Sequence, residues 1–173
     1  MYSFYQRATT FLSTTIVSLV ILLSLCYCST FFLVKERPQV EINFSQIELL
    51  RARETRNSPF SQLVKGSYDL TMNFTPLFDW YTKQIFAYLV VEYPSDKNRF
   101  NQIVIWDKIV TRGGDYKLDV KSLPEKYPLI DDGMGMAMNN NVTLTLYWEW
   151  QPYAGPLHYD GHSKQFIKIG NIN

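Results

Sequence analysis

A mainly β protein, with one N-terminal transmembrane helix followed by an antiparallel β-sandwich, is the fold this 173-residue sequence predicts. Three observations carry that expectation. A single uncharged apolar block runs from Ala8 to Val34. After it, Val142, Leu144, Leu146, Trp148 and Trp150 alternate with Thr143, Thr145, Tyr147, Glu149 and Gln151, the period of a half-buried strand. Gly/Pro turns recur between short apolar runs, with no long amphipathic helix to cover a parallel sheet.

The block of residues 8–34 contains no Asp, Glu, Lys or Arg, with Arg7 before it and Lys35-Glu36-Arg37-Pro38 after it. About 20 apolar helical residues cross a hydrocarbon core of roughly 30 Å. Its Ser and Thr hydroxyls can bond back to helix carbonyls. Tyr27, Phe31 and Phe32 gather toward the distal end, where an interfacial aromatic belt belongs. A cleaved signal peptide would carry an apolar core of about 7–15 residues ending in small residues. Here the apolar stretch continues through Phe31-Phe32-Leu33-Val34, past Cys28-Ser29-Thr30, so an uncleaved signal anchor is expected. Basic flanks barely separate the two orientations.

Cys26 and Cys28 are the only cysteines. Both sit in the apolar block, far from either histidine, which suits small apolar residues in lipid rather than a zinc site. The domain beyond must therefore be held by packing alone, without an intrachain disulfide. Aromatic residues make up 16% of the chain, enough for a substantial core. From Lys35 onward 16 basic residues meet 16 acidic ones, since Arg7 accounts for the seventeenth. That neutrality argues against a nucleic-acid binder, which would carry a basic face.

Along the domain, Val40, Ile42 and Phe44 alternate with Glu41 and Asn43, and Leu70, Met72 and Phe74 alternate with Thr71 and Asn73. Tyr116–Val120 is a shorter run of the same kind. Thr55–Gln62 reads as a polar loop. Turns are expected at Tyr93–Asn98, Arg112–Asp115, Asp132–Gly135 and Pro152–Pro156. Two runs break the alternation: Gln84–Val91 and Ile103–Trp106 are apolar on both faces. Such a strand is either central in a covered sheet or presents one face to a partner.

Three glycosylation sequons occur, Asn43-Phe44-Ser45, Asn73-Phe74-Thr75 and Asn141-Val142-Thr143. Strand phase points Asn43 and Asn73 away from the apolar side, and Asn141 is expected in a turn just ahead of its strand. A polar residue at a polar position explains two of these placements without any glycan. Asn43 lies close to the apolar block and Pro76 follows the Asn73 sequon, so Asn141 is the first choice.

Catalytic motifs are missing from the sequence: there is no His-Glu-x-x-His, Gly-x-Ser-x-Gly, phosphate loop or dinucleotide fingerprint. His158, Asp160 and His162 could form a metal trio if Gly161 allowed a special turn, but a solvated loop explains them as well. Asp131-Asp132-Gly133 reads as a turn before it reads as acid–base chemistry or a calcium ligand. Lys83, Lys108 and the serines offer no placed Ser-Lys dyad. No cofactor or metal is expected.

Phe78-Asp79-Trp80, Lys83-Gln84, the run Gln102–Val110 with Arg112-Gly113, Tyr127, Asp131-Asp132-Gly133, Asn141–Leu146 and Ala154-Gly155 resemble signal peptidase complex subunit 3. The specific phrases are Val-x-Trp-Asp-Lys-Ile-Val and Asn-Val-Thr-Leu-Thr-Leu. The resemblance covers nearly the whole chain, from Arg7-Ala8 onward, and is weakest over Ile167–Asn173. It implies a type II, single-pass protein of the endoplasmic reticulum. Residues 1–7 would be cytosolic, 8–34 the transmembrane signal anchor and 35–173 a luminal β-sandwich. In that family the subunit is not the protease. A separate subunit carries the serine nucleophile and removes signal peptides, while subunit 3 embraces and stabilises it. The family's glycosylated asparagine corresponds to Asn141, and the motif lends no support to Asn43 or Asn73.

The expected function is thus a non-catalytic subunit, with the catalytic signal peptidase subunit, the other small membrane subunits and the lipid bilayer as partners, and no nucleic acid. The residues nominated for partner contact are Phe78, Trp80, Phe86, Tyr88 and Trp106. Two alternatives stand beside this reading: an Ig-like membrane-anchored adhesion or receptor ectodomain, and a membrane-tethered hydrolase using His158 and His162.

Overall fold

A computed structural model describes residues 3–30, 36–52, 61–94, 98–131 and 141–168, and the side chains of 30, 44–52, 61, 62, 64, 131, 141 and 162–168 lie outside that description. Helix α1 spans Phe4–Thr30 and is followed by eight strands. These are β1 (Gln39–Ala52), β2 (Ser61–Asn73), β3 (Thr82–Tyr93), β4 (Asn101–Thr111), β5 (Lys117–Pro124), β6 (Leu129–Asp131), β7 (Asn141–Pro152) and β8 (His158–Lys168). One sheet has the order β1-β2-β5, with β6 also on β2, and the other has the order β4-β3-β7-β8. Every described pairing is antiparallel.

The helix has the length and composition to cross a membrane over Phe4–Ser29. Its hydroxyls satisfy themselves: Thr14 Oγ1 donates to the Thr10 carbonyl at 3.0 Å, Ser18 Oγ to Thr14 at 2.8 Å and Ser24 Oγ to Val20 at 2.8 Å. That back-bonding lets a Ser/Thr-rich segment sit in hydrocarbon without orphaned donors. The helix begins at Phe4, four residues before the expected start. Residues 31–35, the end of the expected anchor, lie outside the described residues.

The alternation seen in the sequence produces the core. In β2, Tyr68, Leu70 and Met72 are buried, and Phe74 just after the strand joins them. Opposite, β3 contributes Ile85, Ala87, Leu89, Val91 and Tyr93, and β7 contributes Val142, Leu144, Leu146 and Trp148. Phe74 meets Trp148 across the gap with ring centroids 6.0 Å apart. Each fully buried side chain of this size contributes about 1.5–3 kcal/mol. That packing has to hold the sandwich, since both cysteines lie in the helix.

The β5–β6 connection ties the sheets together at one edge. Lys126 N and Tyr127 N both donate to the Ile105 carbonyl, at 2.8 and 3.1 Å. Ile105 sits where the β3–β4 register shifts, so the bulge presents its carbonyl sideways to the loop. Asp107 adds a side-chain clamp, accepting from Lys126 Nζ at 2.6 Å and Tyr127 Oη at 2.7 Å. Together these contacts cover part of the β4 edge.

Several expectations change here. The segment His158–His162 is not a loop but the start of β8. Asn141 is the first residue of β7 rather than part of a preceding turn, since its backbone pairs with Lys168. Ser61 and Gln62, expected in a polar loop, open β2, and the rest of the expected Tyr93–Asn98 and Thr55–Gln62 segments lies in part outside the described residues. The Asp132–Gly135 turn lies wholly outside them.

Candidate functional site

The outward face of the sheet β4-β3-β7-β8 carries the strongest constellation. Its residues are set by register. Tyr88 of β3 lies directly opposite Tyr147 of β7, Phe86 opposite Glu149, and Glu149 opposite Tyr159 of β8. Directly opposite residues share a face, so these side chains all point away from the core. Four rings then stack in a row. Phe86 and Tyr88 lie 5.3 Å apart, Tyr88 and Tyr147 5.6 Å, and Tyr147 and Tyr159 5.7 Å, with interplanar angles of 29°, 28° and 19°. Aromatic pairs in this distance range add stabilisation beyond area burial.

Two neighbours hold Tyr147 in place. The Glu92 carboxylate accepts from Tyr147 Oη at 2.6 Å and from Gln102 Nε2 at 3.0 Å. On the other side Gly161 stands opposite Tyr147 in β8. A Cβ built at Gly161 would lie 2.2 Å from Tyr147 Cδ1, so only glycine leaves room for the ring. Burial pushes the Tyr147 phenol up to about 12, with the hydrogen bond to Glu92 adding to the effect. Burial raises Tyr88 as well, followed by its contact with Tyr159. Both hydroxyls are therefore neutral at physiological pH and act as hydrogen-bonding groups, not bases.

This face is exposed only in part. Val90, Glu92 and Thr145 share it and are buried. The accessible portion is the Phe86–Tyr88 half, where Ile109, the β4 partner of Phe86, is 55% exposed and Tyr159 is 59% exposed. Asp107, opposite Tyr88, borders the patch. The Lys126 and Tyr127 hydrogen bonds hold its carboxyl below the usual carboxylate range. The result is an apolar centre with a hydrogen-bonding rim, the anatomy of a protein contact surface.

The five nominated residues separate. Phe86 and Tyr88 belong to the stacked face. Phe78 instead stacks on Tyr116 at 4.2 Å and packs against the core. Trp106 is 7% exposed and sits in the core, so its ring is not presented to a partner. The bulge beside it turns both Ile105 and Trp106 inward, which an apolar-on-both-faces run cannot reveal. Trp80 is exposed, but at the end of the sandwich where α1 arrives. Tyr147 and Tyr159 were missed. Tyr147 occupied the polar phase of its strand, and Tyr159 lay in what read as a loop.

The remaining candidates have structural roles or stay outside view. Asp79 Oδ1 accepts from the Tyr81 and Thr82 backbone amides at 3.0 and 2.8 Å, which shapes the entry to β3. The His158 ring stacks on Trp150 at 5.2 Å and on Tyr27 at 6.4 Å. The His162 side chain lies outside the described residues, as does the Asp132-Gly133 pair. Among the described residues no three His, Cys, Asp or Glu side chains gather as a metal site would require. Asn43 is exposed on β1. Asn73 Oδ1 accepts from the Thr75 amide at 3.1 Å, inside its own sequon.

Comparison with known proteins gives a consistent picture. A family model described as signal peptidase subunit matches residues 1–171. The chain is 41% identical over 133 residues to a human protein named signal peptidase complex subunit 3, covering 76% of this chain and 73% of that one. A Drosophila melanogaster protein of the same name is 36% identical over 163 residues, covering 91% and 88%. A mouse protein named adipocyte-related X-chromosome expressed sequence 1 is 37% identical over 159 residues, covering 91% and 87%.

Proposed function

The chain belongs to the signal peptidase subunit family and is similar along most of its length to signal peptidase complex subunit 3, and from that membership we propose that it serves the complex as a non-catalytic subunit that holds the catalytic serine subunit in position. The proposal places the sandwich in the lumen of the endoplasmic reticulum, in type II orientation, with Asn141 as the principal glycan acceptor.

The observation that carries this reading is the four-ring stack Phe86–Tyr88–Tyr147–Tyr159. Its Tyr147 ring is braced before any partner arrives, by the Glu92 carboxylate at its hydroxyl and by its close seat against Gly161. A preformed aromatic patch loses little conformational freedom on docking, so more of the contact energy appears as affinity. Anchoring both subunits in one membrane raises their effective concentration, which makes a modest contact persistent. In this arrangement the subunit acts by geometry and contributes no group to the transition state.

The test is a detergent-solubilised pull-down through a C-terminal tag, with the recovered chains identified and signal cleavage assayed on the eluate. Wild type should recover the catalytic subunit together with cleavage activity. Tyr88→Ala and Phe86→Ser should lose both in parallel. Normal recovery with both variants would remove the stacked face from the interface, and proteolysis by this chain purified alone would overturn the non-catalytic role.

A further inference from the structure

The sandwich end that meets α1 carries a second exposed aromatic group, and its position relative to the helix is set by direct contacts. Tyr27 lies 20 residues after Arg7, so about 1.5 Å per residue separates them by about 30 Å, the thickness of a hydrocarbon core. When Arg7 lies at one headgroup level, Tyr27 lies at the other. Tyr27 is half-buried, whereas the other α1 residues from 4 to 29 are exposed. The helix therefore touches the domain at its end and otherwise projects away from it.

Tyr27 touches the β7–β8 turn. Its ring stacks with His158 at 6.4 Å, and a Cβ at Gly155 would lie 3.2 Å from Tyr27 Cδ2. Tyr81 Oη donates to the Ala154 carbonyl in the same turn. Those contacts bring the loops at this end of the sandwich to the level of the membrane surface. On the same loops Trp80 is 56% exposed, Tyr153 60% and Leu157 59%. The pieces are linked: Trp80 lies 5.2 Å from the Tyr81 ring, Tyr153 N donates to Tyr81 O at 3.1 Å, and the Arg112 guanidinium sits 6.0 Å above the Tyr153 ring. Trp and Tyr beside Arg, with an exposed Leu, match the chemistry of the zone between headgroups and acyl chains.

We propose that Trp80, Tyr153 and Leu157, with Arg112 behind them, form a foot that rests in the headgroup region of the same bilayer α1 crosses. The foot and the helix end make two supports on one membrane plane. They restrict the tilt of the sandwich and hold the stacked Phe86–Tyr159 face at a constant height. The inference depends on α1 spanning the bilayer, but not on which subunit the stacked face contacts.

The full-length chain, reconstituted alone into phosphatidylcholine vesicles, provides the test. All four tryptophans, at 80, 106, 148 and 150, lie in the sandwich and none in the helix, so emission reports on the domain. Trp106 and Trp148 are buried. Phosphatidylcholine with brominated acyl chains should quench wild-type emission, and Trp80→Phe should abolish most of that quenching. Tyr153→Ser with Leu157→Ser should weaken the quenching and shift Trp80 emission to the red. A chain that resists alkaline carbonate yet shows no bromolipid quenching at Trp80 overturns the foot while leaving the anchor intact. Release by carbonate overturns the anchor and the foot together. In vesicles holding the assembled complex, continued bromolipid quenching supports the proposal. Shielding of Trp80 there from both bromolipid and acrylamide would assign the foot to a protein partner and overturn it.

Discussion

The ring of Tyr147 occupies the space that a side chain at Gly161 would need: a Cβ there would stand 2.2 Å from Tyr147 Cδ1 and 2.8 Å from Cε1. Gly161→Ala must therefore displace the ring, break its 2.6 Å bond to Glu92 and interrupt the stack. Overpacking of this kind costs about 1–3 kcal/mol. Denaturant unfolding of the full-length chain in micelles checks it. Adding Tyr147→Ala to Gly161→Ala should cost less than the sum of the two single changes, because the second removes the clash the first creates. Additive costs would show that the two residues do not compete for the same space.

The Tyr147 phenol is expected to ionise late. An unfolded tyrosine titrates near 10, whereas the folded group is pushed up to about 12. Between those values the unfolded chain releases a proton that the folded chain keeps. The stabilisation is thus complete below about pH 10 and lost as pH rises through about 12. Ultraviolet absorbance titration should show a late tyrosinate phase that shrinks in Tyr147→Phe. An unchanged late phase would assign it to Tyr68 or Tyr88, which are also raised.

Asp107 should give the opposite dependence, at acid pH. Its carboxyl is held below the ordinary range first by the Lys126 hydrogen bond and then by Tyr127. A depressed carboxylate stabilises above its unfolded value of about 3.9 and loses that contribution as pH falls through the folded one. The stability gap between wild type and Asp107→Asn is therefore expected at pH 7 and should close below about pH 4. A gap that persists unchanged at pH 3 would locate the effect in the loop backbone instead.

Core packing should dominate stability, because no disulfide supports the sandwich. Leu89→Ala or Leu146→Ala, each at a fully buried position, should cost about 2–5 kcal/mol. Exposed Phe100→Ser should change stability by no more than about 0.5 kcal/mol. Equal losses at the buried and exposed positions would contradict the shared core.

Glycan occupancy should follow distance from the membrane. From Pro152, beside the turn that meets Tyr27, β7 runs 11 residue steps to Asn141, about 37 Å at about 3.4 Å per residue. Asn141→Gln should remove the main endoglycosidase-sensitive mobility shift, whereas Asn73→Gln, whose amide oxygen is already bonded to Thr75, should not. A shift that survives Asn141→Gln would move the glycan to Asn43 or Asn73.

Much of the architecture was legible because it rests on local periodicity. The period-two runs at 40–44, 70–74 and 142–150 each buried the phase expected of them where their side chains are described, and Gln84–Val91 is a central strand. Its two apolar faces have different fates, one in the core and one under the aromatic row. The phase of Tyr147 was legible too, but its significance was not. A tyrosine in the polar phase becomes part of a patch only when register sets Tyr88 opposite it and Tyr159 one strand further on. Trp106 misled for a similar reason: a one-residue bulge reverses the face a side chain occupies, and nothing in the local pattern marks it.

By itself the sequence determined the long apolar helix, the β-rich domain after it and the family, since hydrophobic period and motif wording are properties of neighbouring residues. Only the tertiary structure decided which aromatics meet, that His158 packs on Tyr27 rather than sitting in a loop, and that Trp80 lies at the helix end. The decisive ones, Tyr88 with Tyr147 and Tyr27 with His158, join residues far apart along the chain, and strand register and sheet order set them, not any preference of the residues alone.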